Sequence, residues 1–115
     1  MLRHAHRLSK KADFQTVYRE GKRTATEHFS ILTRVNALPV SRFSVVVRRS
    51  FGTAVLRNKA KRRARVLFFR ARNSIVPAMD ILFFPKSAMM DERPDALEGK
   101  FRWALEQARS PKEKK

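Results

Sequence analysis

Between Arg57 and Arg72 the chain carries eight lysines and arginines and no acid: Arg57, Lys59, Lys61, Arg62, Arg63, Arg65, Arg70 and Arg72. Like charges one helical turn apart repel one another, and most solvated helix faces relieve the repulsion by mixing signs. Nothing relieves it here. The simplest account is a polyanion that neutralises the run when bound, and a phosphate backbone is such a polyanion. At about 100° per residue the run sorts into faces. Ala60, Ala64, Leu67, Phe68 and Ala71 form a narrow apolar stripe; Asn58, Lys61, Arg62 and Arg65 form a second stripe beside it; Lys59, Arg63 and Arg70 take the remaining side.

The other residue types that do chemistry are scattered. A nuclease acting with its own side chains needs a general base or a carboxylate cluster for metal. His4 and His6 stand in a basic N-terminal segment, His28 at a strand start, and Asp91-Glu92 reads as the acidic lead-in to a helix. There is no cysteine, which excludes disulfides, thiolate metal sites and thiol redox chemistry.

Hydropathy patterning supplies the elements that must carry the basic run. Ser9 is placed to cap a short amphipathic helix with Phe14, Val17 and Tyr18 on its apolar side, and Gly21 suits a left-handed terminating residue. Residues 24–35 alternate, as one strand or two, and after a turn at 36–41 a second alternating run follows with Phe43, Val45 and Val47. These two runs are expected to pair antiparallel. Gly52 and Thr53 turn the chain into the basic helix, over about residues 55–73. Residues 80–84, Asp-Ile-Leu-Phe-Phe, read as an interior strand reached by a helical crossover, ended by Pro85. A last helix runs from about Pro94 to Ala108, with Leu97, Phe101, Ala104, Leu105 and Ala108 on one stripe.

At 115 residues and 43 % hydrophobic the chain has material for one modest core. The expected organisation is a mobile basic arm at 1–8, a single RNA-binding domain at 9–109 and a disordered tail at 110–115. The formal charge of +17 demands an anionic partner. A membrane surface fits poorly, because an alanine-rich stripe within a βαβ unit offers little to insert into lipid. With no signal-peptide pattern and no apolar run near the ~18 residues of a membrane span, a cytoplasmic location is expected.

The segment Phe51-Gly52-Thr53-Ala54-Val55-Leu56-Arg57-Asn58-Lys59-Ala60-Lys61-Arg62-Arg63-Ala64-Arg65 resembles the signature of the bacterial ribonuclease P protein subunit family. Asp13-Phe14-Gln15-Thr16-Val17-Tyr18 looks like that family's Asp-Phe-x-x-Val-aromatic segment, followed by a glycine at a similar distance. The resemblance covers about residues 7–108. It implies an α+β fold, a single-domain sandwich of a four-stranded mixed sheet and three helices, with a left-handed βαβ crossover carrying the basic helix. The left hand rests on the resemblance, because about 98 % of such crossovers are right-handed.

The resemblance further implies an accessory subunit of an endoribonuclease whose active site is made by a large catalytic RNA, without catalysis by the protein alone. The implied partners are that RNA and precursor tRNA, whose 5′ leader is removed; Mg²⁺ is expected to be held mainly by the RNA. Carried over, Arg57, Asn58, Lys59, Lys61, Arg62 and Arg65 become contacts to the catalytic RNA. Phe14 and Tyr18, which alone read as core, become part of a cleft for the single-stranded leader, as aromatic faces beside a positive groove suit single-stranded RNA. Val46 takes a cleft position where the family usually has a smaller or hydroxylated residue. Leu32 and Phe84 join the leader set by strand parity, Phe84 being equally well explained as core. Two other readings fit the composition: a structural RNA-binding protein such as a small ribosomal protein, and a helix-turn-helix DNA binder, the latter ill matched to the flanking strands.

Overall fold

The structure is a computed structural model that describes residues 7–109. In chain order the elements are α1 (Lys11–Glu20), β1 (Lys22–Ala25), β2 (Phe29–Val35), β3 (Arg42–Val45), α2 (Ala54–Ala71), β4 (Met79–Pro85) and α3 (Pro94–Arg109). Short 3₁₀ turns at Arg49–Phe51, Arg72–Ser74 and Ser87–Asp91 join them. This is the α+β sandwich expected: three helices on a four-stranded mixed sheet in the order β1-β2-β4-β3.

The two alternating runs are not partners, which corrects the expected antiparallel pair. β4 lies between them, antiparallel to β2 from Phe29↔Pro85 to Val35↔Met79 and parallel to β3 from Arg42↔Asp80 to Val45↔Phe83. The reason is burial. β4 is apolar on both faces over Ile81, Leu82 and Phe83, all 0 % exposed, and only a central strand covered on both faces satisfies such a segment. The first run divides into β1 and β2, an antiparallel pair in which Arg23 faces Leu32 and Ala25 faces Ser30. Thr26 shapes the turn between them, its Oγ1 accepting the N–H groups of His28 and Phe29 at 3.1 Å.

Each face of the sheet has its own core. On one, Phe29, Ile31, Phe43, Ile81 and Phe83 pack under α2 through Ala60, Ala64, Leu67, Phe68 and Ala71, and under α3 through Leu97, Phe101, Ala104 and Leu105. The apolar stripe read from the helical wheel is the buried stripe of α2. Phe43 stacks on Phe68 with centroids 4.7 Å apart, and Phe29 on Phe83 at 4.8 Å. On the other face, Leu8, Val17, Leu32 and Leu82 form a smaller cluster under α1, with Phe14, Val46 and Phe84 packed against it.

The joints of α1 differ from expectation. Lys10, not Ser9, occupies the N-cap position and gives no side-chain cap. Gly21 is extended (φ −75°, ψ 157°), not left-handed. It is needed for space: its N–H donates to the Val17 carbonyl at 2.7 Å, and a Cβ there would collide with that oxygen. Leu8, assigned by sequence to the arm, is buried, and its N–H donates to Phe43 O at 3.0 Å on the outer edge of β3. An apolar side chain beside an unfilled cluster docks where a purely basic arm would not. Arg7, also of the arm, makes a parallel bridge with Phe43, while residues 1–6 of the arm and the tail 110–115 lie outside the described residues.

Candidate nucleic-acid interface

The basic helix is launched by a glycine and a threonine. Gly52 has φ 155° and ψ −159°, a region open essentially to glycine, and Thr53 accepts the Leu56 N–H on its side-chain oxygen at 3.2 Å. The cations of the helix then part in three directions. Arg57 folds back, donating from Nη1 to Gly52 O at 2.7 Å, and so braces the turn. Arg63 turns toward the 3₁₀ segment before α3, reaching the carbonyls of Met89 and Met90 at 3.4 and 3.2 Å, and Arg70 pairs with Glu98 of α3 at 3.2 Å. Lys61, Arg62 and Arg65 line the open side of α2, above a hollow of about 770 Å³ that Arg63 also borders and that takes in Arg7, Ser9 and Ser44. Asn58 and Lys59 stand near the start of the helix. Three of the four residues of the wheel's second stripe, Lys61, Arg62 and Arg65, thus border the open hollow, joined by Arg63 from the remaining side.

Around β3 and β4, on the α1 side of the sheet, lies a second hollow of about 530 Å³. It brings together three of the five residues assigned to a leader cleft: Tyr18, Val46 and Phe84. Tyr18 is 52 % exposed, its ring 6.3 Å from that of Phe84 and tilted by 56°. Phe84 owes its place to register, since Ser30 is its partner on β2 and a small neighbour leaves the ring accessible from above. The remaining two are elsewhere. Leu32 is 5 % exposed beneath α1, and Phe14 packs beside it on the smaller cluster. Both belong to the layer between α1 and the sheet, and a leucine locked against Gly21 and Val17 has no face to offer a base.

Sequence reasoning missed the cations of this groove. Arg23, Arg48 and Lys86 ring it, with Ser50 and Phe51 from the turn before α2. The Arg23 guanidinium carbon sits 5.3 Å above the centroid of Phe84, and Lys86 donates to Thr26 O at 2.6 Å. The signal for Arg23 was present in strand parity, once β1 is known to pair with β2 at Arg23↔Leu32.

The acids mostly hold the scaffold. Asp80, buried in β4, receives Arg42 at 2.8 and 2.7 Å and Asn36 at 2.9 Å, while Arg42 also reaches Asp13 of α1 at 3.1 Å. The Asp80 carboxylate raises the Arg42 guanidinium still further above its ordinary value, so this charge is fixed. At the other end of α1 Glu20 accepts from Arg34 at 3.0 Å, and that hydrogen bond lowers its carboxyl below the ordinary range. Glu92 faces His28 at 3.3 Å and Glu98 takes Arg70 and Arg102. Among the described residues no three His, Asp or Glu side chains gather to hold a metal, and no helix is long and apolar enough to cross a membrane.

Comparison with known proteins agrees with this arrangement. The family model described as Ribonuclease P matches residues 2–109. The ribonuclease P protein component of Thermotoga maritima is 40 % identical over 86 residues, 75 % of this chain and 74 % of that one. The Staphylococcus aureus protein component is 35 % identical over 92 residues, 79 % of this chain and 78 % of that one. In three dimensions the RNase P protein of T. maritima superposes with a TM-score of 0.78 at 31 % identity, covering 90 % of this chain and 98 % of that chain. The S. aureus protein gives 0.75 at 30 % identity over 90 % and 95 %. The two signature segments, the sheet order and the overall superposition therefore converge, and the chain belongs to the ribonuclease P protein family.

Proposed function

We propose that this protein binds a catalytic RNA through the open side of α2 and the single-stranded 5′ leader of precursor tRNA through the groove beside Tyr18 and Phe84, so supporting removal of the leader. The observation that carries the reading is the partition of cations on α2. Arg57 and Arg70 find acceptors within the protein, whereas Lys61, Arg62 and Arg65 line one open hollow that has no acid among its residues; Arg63, which shares that hollow, also donates to the Met89 and Met90 carbonyls. Phosphates complete such a surface. The groove adds aromatic faces beside cations, the combination that holds unpaired nucleotides.

Hydrolysis belongs to the RNA in this reading. Among the described residues several carboxylates are engaged by arginines and no three gather in one place, an arrangement that does not suit a protein-held metal site, and Mg²⁺ is carried mainly by RNA phosphates. The protein's own work is to neutralise, orient and hold, at a cytoplasmic site of tRNA maturation. The test is cleavage of precursor tRNA at low Mg²⁺ with RNA subunit alone, protein alone and both. Turnover is expected only with both; turnover by RNA-free protein would overturn the reading.

A further inference from the structure

Phe84 is half-buried in the central strand, and on the groove side a cation lies over its ring. Arg23, exposed on edge strand β1, lays its guanidinium over the ring with its central carbon 5.3 Å from the centroid. No carboxylate among the described residues pairs with it, so the ring is what holds it there. Such a contact is worth little in water, and a long arginine on an edge strand swings at small cost.

We propose that Arg23 is a leader-binding residue that clamps one nucleobase flat against Phe84, with the base between guanidinium and ring. The proposal rests on the leader reading of the groove. Its geometric content is a distance. A planar base needs about 3.5 Å of van der Waals separation on each side, or about 7 Å in all, so the present 5.3 Å is closed to it and opens with an outward shift of about 2 Å. The two surfaces already lie one over the other at the open rim of the groove. The base therefore replaces a cation–π contact by two stacked contacts, and the guanidinium plane is a surface on which unpaired bases stack. Tyr18, 6.3 Å from Phe84 and tilted to it, closes the side of the slot. Ser30 at its floor is too small to fill it. Arg48 and Lys86, also on the rim of the groove, are placed for the phosphates on either side of the clamped nucleotide.

The clamp makes a claim that a simple phosphate contact does not: the flat shape of the side chain matters as well as its charge. The experiment measures binding of precursor tRNA to the reconstituted enzyme, protein with its RNA subunit, for wild type, Arg23→Ala and Arg23→Lys. A single abasic nucleotide is moved along the leader, and mature tRNA is the control. Arg23→Ala is expected to weaken leader-bearing substrate by about tenfold, and Arg23→Lys nearly as much. One leader position is expected at which removing the base weakens wild type and leaves Arg23→Ala unchanged. Mature tRNA should bind all three equally, and an unchanged melting temperature should confirm that this exposed position leaves the fold intact.

Lysine working as well as arginine overturns the clamp in favour of a charge contact. Tighter binding by Arg23→Ala overturns it in favour of a cover that competes with the leader. If Tyr18→Ala abolishes the dependence on the leader while Arg23→Ala does not alter it, the clamp fails and the groove assignment stands. If neither alters it, the groove assignment itself has failed.

Discussion

Arg42 of β3 holds Asp13 of α1 at 3.1 Å with one arm of its guanidinium while Nε and the other arm hold Asp80 of β4 at 2.8 and 2.7 Å. One side chain thus joins two strands and a helix, and it fixes the end of α1 distant from Tyr18. At the near end Glu20 and Arg34 make a second tie at 3.0 Å. A helix of ten residues without a side-chain cap is marginal on its own. The two ties and buried Val17 decide where it lies.

Arg42→Ala strands a buried carboxylate, since Asp80 is 1 % exposed, and should cost about 3–5 kcal/mol in urea denaturation. Asp13→Asn leaves the Arg42–Asp80 pair intact and should cost distinctly less. Equal losses from the two variants would show that the tie to α1, not the burial of Asp80, dominates.

Glu20 sets a pH dependence with a definite sign. Because the Arg34 hydrogen bond lowers its carboxyl in the folded state, its contribution is present above the ordinary carboxylate value of about 4.3 and is lost as pH falls through the lowered folded value. Wild type should therefore melt above Glu20→Gln at pH 7, and the two should converge in acid. A gap that widens on acidification would contradict the assignment.

On α2 the cations should separate by direction. Arg62→Ala or Arg65→Ala should weaken binding to the RNA subunit and reduce the salt slope by about one for each phosphate left without its cation, at unchanged melting temperature. Arg63→Ala should lower the melting temperature, because it frees the Met89 and Met90 carbonyls, and should change the slope less than Arg62→Ala or Arg65→Ala, because Arg63 borders the hollow but gives Nη1 to those carbonyls. Salt titrations paired with thermal melts read both quantities.

Two glycines should respond oppositely to alanine. Gly99 stands in α3 with open space where a Cβ would go, so Gly99→Ala should stabilise by about 0.5–1 kcal/mol through helix propensity. Gly21→Ala should destabilise, because the methyl meets the Val17 carbonyl at the exit of α1. Chemical denaturation of the pair reports both signs.

The helices were legible because their apolar periods are strong: the stripe Ala60, Ala64, Leu67, Phe68, Ala71 and the stripe Leu97, Phe101, Ala104, Leu105 are the buried residues. The interior character of residues 80–84 was legible too. Its partners were not, because a strand apolar on both faces states that it is covered and not by which neighbours. That gap hid the insertion of β4 between β2 and β3, and with it the register that brings Arg23, Ser30 and Phe84 to one groove. Leu32 was assigned to that groove by parity alone. Parity gives the face of the sheet, but the span covered by α1 depends on the joint at Gly21, whose steric role no pattern announces.

The uneven division of the two cores has a kinetic meaning. β4 is secured from both sides, whereas α1 rests on Leu8, Val17, Leu32 and Leu82 with Phe14 at its margin. Local opening of α1 breaks that cluster and the ties of Asp13 and Glu20 while the larger core stays whole, so its amides should exchange with deuterium through a sub-global opening well before those of β4. The wall of the groove that carries Tyr18 is then the part of the molecule that breathes. A bound strand spanning Tyr18 and Phe84 bridges the breathing part to the fixed part, and its affinity appears directly as slowed exchange along α1.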